Sequence, residues 1–431
     1  MRLRRGAALA LLLAGCAGTG RAEAPADEVD AAIASLADYA SEVLLTEEGK
    51  GRSDYEMLTA TWTDYEPHWH TGQLIYALVE AYEHTGEERF LAAARRAGDW
   101  WIGTEFAPPH PFAGLVDAAH GNKLGRLINF TTISDGTPGL FRLTQATGDP
   151  RYADAATRSG AWLYENARVE REGGEGLFYN LFDPETGEVL RDWDAHERGI
   201  ERDAAAALAD PSPVEAVARP NIEGFLFADM CEHTDEQAWC DRYAEQARHA
   251  LARQDANGLW MAFEPNDAAT GKVHPRFNIW NAEALVVAYE VTGDPAFLEG
   301  AARTAQFFDR LADRRGRIYY RSKSDGTAER SGVTGSAVAF GGLLMLRLRE
   351  HGYDEFDDSI ERTARWLLAS RYADGHPDPN LAGAVVNTRL RGAGDGVSII
   401  QRDVGTTFGL RFLTAYADSR TLVTPPEPSD Q

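Results

Sequence analysis

From Ala77 the chain reads "ALVEAYEHTGEERFLAAARRAGDWW", with apolar positions recurring at a helical period on both sides of "TGE". The pattern returns at Gly139 in "GLFRLTQATGDPRYADAATRSGAWLYENA" and at Ala284 in "ALVVAYEVTGDPAFLEGAARTAQFFDRLA". Looser copies begin at Gly224 ("GFLFADMCEHTDEQAWCDRYAEQARHALARQ") and at Gly342 ("GLLMLRLREHGYDEFDDSIERTARWLLAS"). Each copy predicts one helix, a tight turn and a second helix. Gly ends the first helix in a left-handed conformation, and the acid after it suits the positive start of the second. Pro150 and Pro295 fit a first helical turn.

Two segments have no partner nearby: "DEVDAAIASLADYASEVLL" (from Asp27) and "DVGTTFGLRFLTAYAD" (from Asp403). Paired across the ends of the chain, they complete a sixth hairpin. The prediction is an all-α (α/α)6 toroid with short β-hairpin insertions between its helical hairpins. An open solenoid would not leave half a hairpin at each end. Within each copy the first helix is nearly apolar, as in "TGSAVAFGGLLML", and therefore buried all round. The second carries a charged face, as in "DEFDDSIERTARWLL". First helices form the inner ring, second helices the outer. The segments leading into the inner helices then converge on one mouth, where helix N-termini favour anions.

A hydrophobic content of 44% and ten Trp supply a sizeable core. The formal charge of −24 excludes general nucleic-acid binding, which needs a basic face. It leaves room for local arginines around an anionic ligand. Arg2, Arg4 and Arg5 precede "GAALALLLAG", which is too short to span a bilayer. That run ends in "LAGC", which resembles a bacterial lipobox. The resemblance implies cleavage before Cys16 and its lipidation, hence an exported, membrane-anchored protein facing the periplasm or in the outer membrane. The expected organisation is a signal peptide over 1–15, a tether over 16–26, one toroid domain over 27–420 and a disordered tail over 421–431. Cys231 and Cys240, nine apart, read as a disulfide or as inert thiols.

The six lead-in segments are unusually polar. The first, "DYEPHWH", holds Asp64, Tyr65, Glu66, His68 and His70, and the second, "LINFTTISDG", holds Asn129 and Asp135. "ARPNIEG" brings Arg219, Asn221 and Glu223; "HPRFNIWNAE" brings His274, Arg276, Asn278, Trp280 and Asn281. "RRGRIYYRSKSDG" adds Arg314, Arg317, Tyr319, Tyr320 and Arg321, and the last segment adds Arg389, Arg391, Arg402 and Asp403. Singly, an Asn or Asp here is a helix cap and a Tyr in "RIYYR" a packed strand residue. Together they describe a cleft. Arg, His, Asn and Tyr outnumber carboxylates, which suits β-elimination on a uronic-acid polymer better than glycoside hydrolysis by paired acids. Donors that neutralise the uronate carboxylate stabilise the charge that develops when the C5 proton leaves, and Tyr or His removes that proton. Trp260 and Trp280 read either as sugar platforms or as core.

The pattern "HTGQLIYALVEAYEHTGEERF" resembles the six-hairpin carbohydrate enzymes. These are unsaturated glucuronyl hydrolases, the N-acylglucosamine 2-epimerase group and toroidal lyases of alginate or glucuronan. The lyases use Asn, His, Arg and Tyr, and the resemblance implies Asn221, His274, Arg314 and Tyr320, with Asn129, Arg317 and Tyr319 as rivals. On this reading Asn221 and Arg276 neutralise the carboxylate, Tyr320 is base and acid with Arg314 lowering its pKa, and His274 is a second base or a donor. His68, His70, Asn129, Asp135, Arg219, Trp280, Tyr319 and Arg402 line the subsites. The expected substrate is an anionic polysaccharide or oligosaccharide. No cofactor is implied, and His68 and His70 lack a third metal ligand. The second enzymatic reading is a hydrolase of unsaturated uronyl oligosaccharides with Asp135 as acid/base. A non-enzymatic reading is a glycan-binding surface lipoprotein.

Overall fold

The computed structural model describes residues 23–63, 65–121, 124–201, 216–393 and 396–421. Cys16, the signal peptide, most of the tether, Asp64 and nearly all of the tail lie outside them. Six positions form the inner ring: α2 (Pro67–Thr85), the interrupted pair α4 (Phe130–Ser134) and α5 (Thr137–Thr147), α8 (Leu226–Thr234), α10 (Pro275–Thr292), α12 (Gly335–Glu350) and α14 (Val404–Thr421). Outside them lie α1 (Ala26–Glu42), α3 (Glu88–Ile102), α6 (Arg151–Ala167), α9 (Gln237–Ala252), α11 (Pro295–Leu311) and α13 (Asp357–Ala369). Each inner helix packs on the next, and α14 packs on both α1 and α2, which closes the ring. The chain is an (α/α)6 toroid.

The hairpin turns follow the sequence argument. Gly86, Gly148 and Gly293 have φ of 71°, 69° and 73°, and each returns its N–H to the last turn of its inner helix. Asp294 caps α11 by accepting from Ala296 N at 3.0 Å. The third hairpin lacks the glycine. Asp235 takes the left-handed position there, with φ 58°. A disulfide between Cys231 and Cys240 brackets that turn, with Cα atoms 5.3 Å apart.

A second regularity joins neighbouring hairpins. After α9 the chain turns at Gly258 (φ +86°), where a Cβ would lie 2.5 Å from the carbonyl carbon of Arg303 on α11. Gly49, Gly176 and Gly316 occupy the same place after α1, α6 and α11, lying against Arg96, Glu245 and Arg362 of the next outer helix. At Gly49, Gly176 and Gly258 only a residue without a side chain lets the turn and the helix backbone meet.

Short strands carry the chain from these turns to the mouth. β1 (Asp54–Glu56) and β2 (Thr61–Thr63) join β11 (Thr388–Ala393) and β12 (Gly396–Arg402) in an antiparallel sheet of order β11-β12-β1-β2. Asp54 stands opposite Arg402, so this sheet ties the first lead-in to the last. β8 (Lys272–Val273), β9 (Tyr319–Lys323) and β10 (Ala328–Val333) form a second sheet. β3 (Ile128–Asn129) leads into the second inner position, and between the second and third lie β4 (Phe178–Tyr179), β5 (Leu181–Asp183), β6 (Glu188–Val189), α7 (Trp193–Glu201) and β7 (Ala218–Arg219). On the axis, Trp69, Trp280, Phe340 and Phe408 from four inner helices interlock with centroids 4.6–5.4 Å apart. This aromatic plug floors the mouth.

Candidate active site

The mouth has a basic half and an acidic half. The basic half is built on α10 and β12. Arg276, in the first turn of α10, is 4% exposed, and its guanidinium lies 5.2 Å from the Trp69 ring centroid. Its Nη1 has no hydrogen-bond partner. Burial, reinforced by nearby Arg402, depresses its pKa. Arg402 donates from Nε to Asp54 at 2.6 Å and covers Tyr65 at 5.2 Å, while its Nη2 is unpartnered. Burial opposes that charge, but the Asp54 carboxylate outweighs it and holds Arg402 firmly protonated. Two buried guanidinium groups with unspent N–H donors form a receptor for a carboxylate.

Tyr320, half-buried on β9, lies near both guanidinium groups, and its hydroxyl donates to Asn387 Oδ1 at 3.3 Å. His274 caps α10, its Nδ1 accepting from Phe277 N at 3.2 Å. Burial and the arginines, Arg276 first, push its pKa well down. A neutral ring that accepts at Nδ1 carries its proton on Nε2, which makes Nε2 of His274 a donor and not a base. His70 Nδ1 meets Asp403 Oδ2 at 2.7 Å beneath Tyr65. Burial lowers the His70 pKa and raises that of Asp403, driving both toward neutrality.

The acidic half gathers where the second inner helix is interrupted. Asp135 ends α4, is 8% exposed and has an Oδ1 without a hydrogen-bond partner. Burial first, then Glu223 and Glu66, raises its pKa well above the usual carboxylate range. Burial beside two other carboxylates thus favours the protonated form of Asp135. Gly224 has its backbone against Ser134 and Asp135, which brings Glu223 alongside. Glu66 sits in a left-handed conformation (φ 43°) at the start of α2, accepting from Thr132 Oγ1 at 3.1 Å and lying 3.3 Å from His120 Nε2. A non-glycine residue held there is strained, and such strain concentrates at functional sites.

Several expected site residues have other work. Asn221 (φ 50°) accepts from Arg219 Nε at 2.8 Å and directs its amide to the carbonyls of Phe178 and Arg219, so it holds a loop. Arg219 also donates to the Glu264 carbonyl at 2.8 Å and lies over Phe277. Asn129 is a helix cap, accepting from Thr131 N at 2.8 Å. His68 is wedged beside Trp100 and Trp101 and bonds Thr104; burial lowers its pKa to about 3. Trp280 belongs to the aromatic plug, and Trp260 donates to the Ala250 carbonyl inside the core. Tyr319 points away from Tyr320, as successive strand residues do, and bonds Asp313 beside Arg317. Arg314 is exposed in the turn after α11, away from the cluster. The guanidinium groups around Tyr320 are those of Arg276 and Arg402 instead. Asp54, His120, Asn387 and Gln73 were not legible as site residues, because strand pairing and helix contact over long sequence distances bring them in. Among the described residues no group of three or more His, Cys, Asp or Glu side chains could hold a metal ion.

No family model and no curated protein matches the sequence. Solved structures share the fold. An unsaturated glucuronyl hydrolase specific for heparin aligns at TM-score 0.63 and 12% identity, covering 92% of this chain and 99% of that one. The cellobiose 2-epimerase of Bacillus thermoamylovorans aligns at 0.65 and 11%, covering 91% and 99%. An unsaturated glucuronyl hydrolase from a Bacillus species, responsible for degradation of glycosaminoglycan, aligns at 0.59 and 15%, covering 90% and 96%. At these identities the likeness establishes the toroid and leaves the chemistry to the residues.

Proposed function

We propose that this chain is a carbohydrate-processing enzyme that hydrolyses unsaturated uronyl oligosaccharides. Arg276 and Arg402 receive the uronate carboxylate, and Asp135 is the proton donor. The observation that carries this reading is the buried Asp135 carboxyl, whose Oδ1 has no hydrogen-bond partner and whose acid form is favoured by burial beside Glu223 and Glu66. A 4,5-unsaturated uronate is an enol ether, and protonation at C4 develops positive charge at C5 and the ring oxygen. Water then adds at C5 and gives up its proton to the carboxylate left on Asp135. The resulting hemiketal opens and releases the neighbouring sugar. A strongly raised carboxyl pKa is what the first step requires at neutral pH. The shared fold with unsaturated glucuronyl hydrolases supports the same reading.

β-Elimination on a polyuronate, which the sequence favours, is the second reading. What supports it is Tyr320, whose phenol lies near both Arg276 and Arg402. His274 would then be a neutral donor to the carboxylate. Absorbance at 235 nm separates the two. With pre-formed unsaturated oligosaccharides the signal is expected to fall, and Asp135→Asn to slow that fall by about a hundredfold or more. A rising signal on intact polyuronates, lost in Tyr320→Phe and kept in Asp135→Asn, would replace the hydrolase with the lyase.

A further inference from the structure

The backbone of the acid is held by two buried residues, Gln73 and Arg411. α2 and the second inner position are in backbone contact: a Cβ on Gly72 would collide with Gly136, and one on Gly139 with the Gly72 carbonyl. This closeness puts Gln73, 2% exposed, against the interruption in the helix, where its Nε2 donates to the Asp135 carbonyl. Its Oε1 accepts from Arg411 Nη1 of α14 at 3.0 Å. Arg411 is 5% exposed, lies 3.9 Å from the Tyr76 ring centroid and has its Nε 3.4 Å from Glu80 Oε2.

The chemistry of the chain of contacts fixes its direction. A guanidinium only donates, so Gln73 must turn its oxygen to Arg411 and its NH2 to Asp135. With the amide reversed, Arg411 would face a donor and the Asp135 carbonyl an acceptor. From this we infer that Gln73, oriented by Arg411, is a positioning residue for the proton donor: it fixes the backbone of Asp135, and with it the direction of the carboxyl. The inference rests on the reading of Asp135 as the acid.

The test uses the full mature protein and an unsaturated uronyl disaccharide. Gln73→Met keeps the size of the side chain and removes both amide contacts. Its kcat is expected to fall about tenfold to a hundredfold with KM little changed, while the melting temperature stays close to wild type. Arg411→Lys, which keeps a donor to Gln73 Oε1, should retain far more kcat than Arg411→Met. Equal losses in these two variants overturn the orientation argument. Wild-type kcat in Gln73→Met, alongside an inactive Asp135→Asn, overturns the positioning role and leaves the acid in place. Full activity in Asp135→Asn removes the acid itself, whatever Gln73 does. Should Gln73→Met unfold, the Arg411 pair decides.

Discussion

Individual residues here are governed by burial more than by formal charge. Glu80 on α2 shows this away from the cleft. Burial lifts its pKa from 4.5 to about 7, although Arg411 and Arg142 pull it down. The folded chain therefore holds a proton on Glu80 between those values that the unfolded chain has lost. That contribution is complete below pH 4.5 and disappears as pH rises through about 7. It amounts to about 3 kcal/mol at most. Urea midpoints at pH 5 and pH 8 should therefore differ less in Glu80→Gln than in wild type; an unchanged difference would mean that Glu80 does not titrate in this range. At this scale the sequence was only partly readable. Arg276, Arg402, Tyr320 and Asp135 were marked as candidates because their lead-in segments are polar beyond what capping needs. Asn129, Asn221 and Arg314 could not be told from them, since a cap, a loop clamp and an exposed turn use the same residue types. The difference lies in what each side chain faces.

Helices and turns were more legible, because the hairpin repeat states their chemistry openly. "TGD" and "TGE" place a left-handed glycine before an acidic helix start, and the structure has both. The glycine turns that couple neighbouring outer helices carry a weaker signal. Gly49, Gly176, Gly258 and Gly316 follow their helices at unequal distances and share little surrounding sequence. Their constraint is a contact with the next outer helix, far along the chain (Gly49 with Arg96, Gly176 with Glu245), which no local window reports. Gly258→Ala combines a forbidden φ with a backbone clash, so it should cost roughly 2–4 kcal/mol. Gly86→Ala, where φ is also positive but nothing lies within 4 Å, isolates the first effect and should cost about 1 kcal/mol. Chemical denaturation of both variants checks the difference; equal losses would mean that the Gly258 contact relaxes freely.

At the scale of the whole molecule, ring closure follows from an odd inventory: half a hairpin at each end of the chain. Closure also brings the two ends of the described chain together. Arg420, in the last turn of α14, donates to the Ala24 carbonyl at 2.6 Å and pairs with Glu23 at 3.1 Å. His84, at the end of α2, pairs with Asp418. All of these lie at the C-terminal ends of inner helices, whereas the cleft lies at their N-terminal ends. An 18-residue inner helix such as α14 separates the two faces by about 27 Å. Any leash attached ahead of Glu23 therefore pulls on the base of a cup whose rim points the other way. A bead coupled through that end should leave turnover of long oligosaccharides unchanged, whereas a bead at the β9–β10 turn, beside the rim, should slow it. If Cys16 is lipidated, the bilayer becomes the saucer, and the protein works facing outward, toward the chains it would meet.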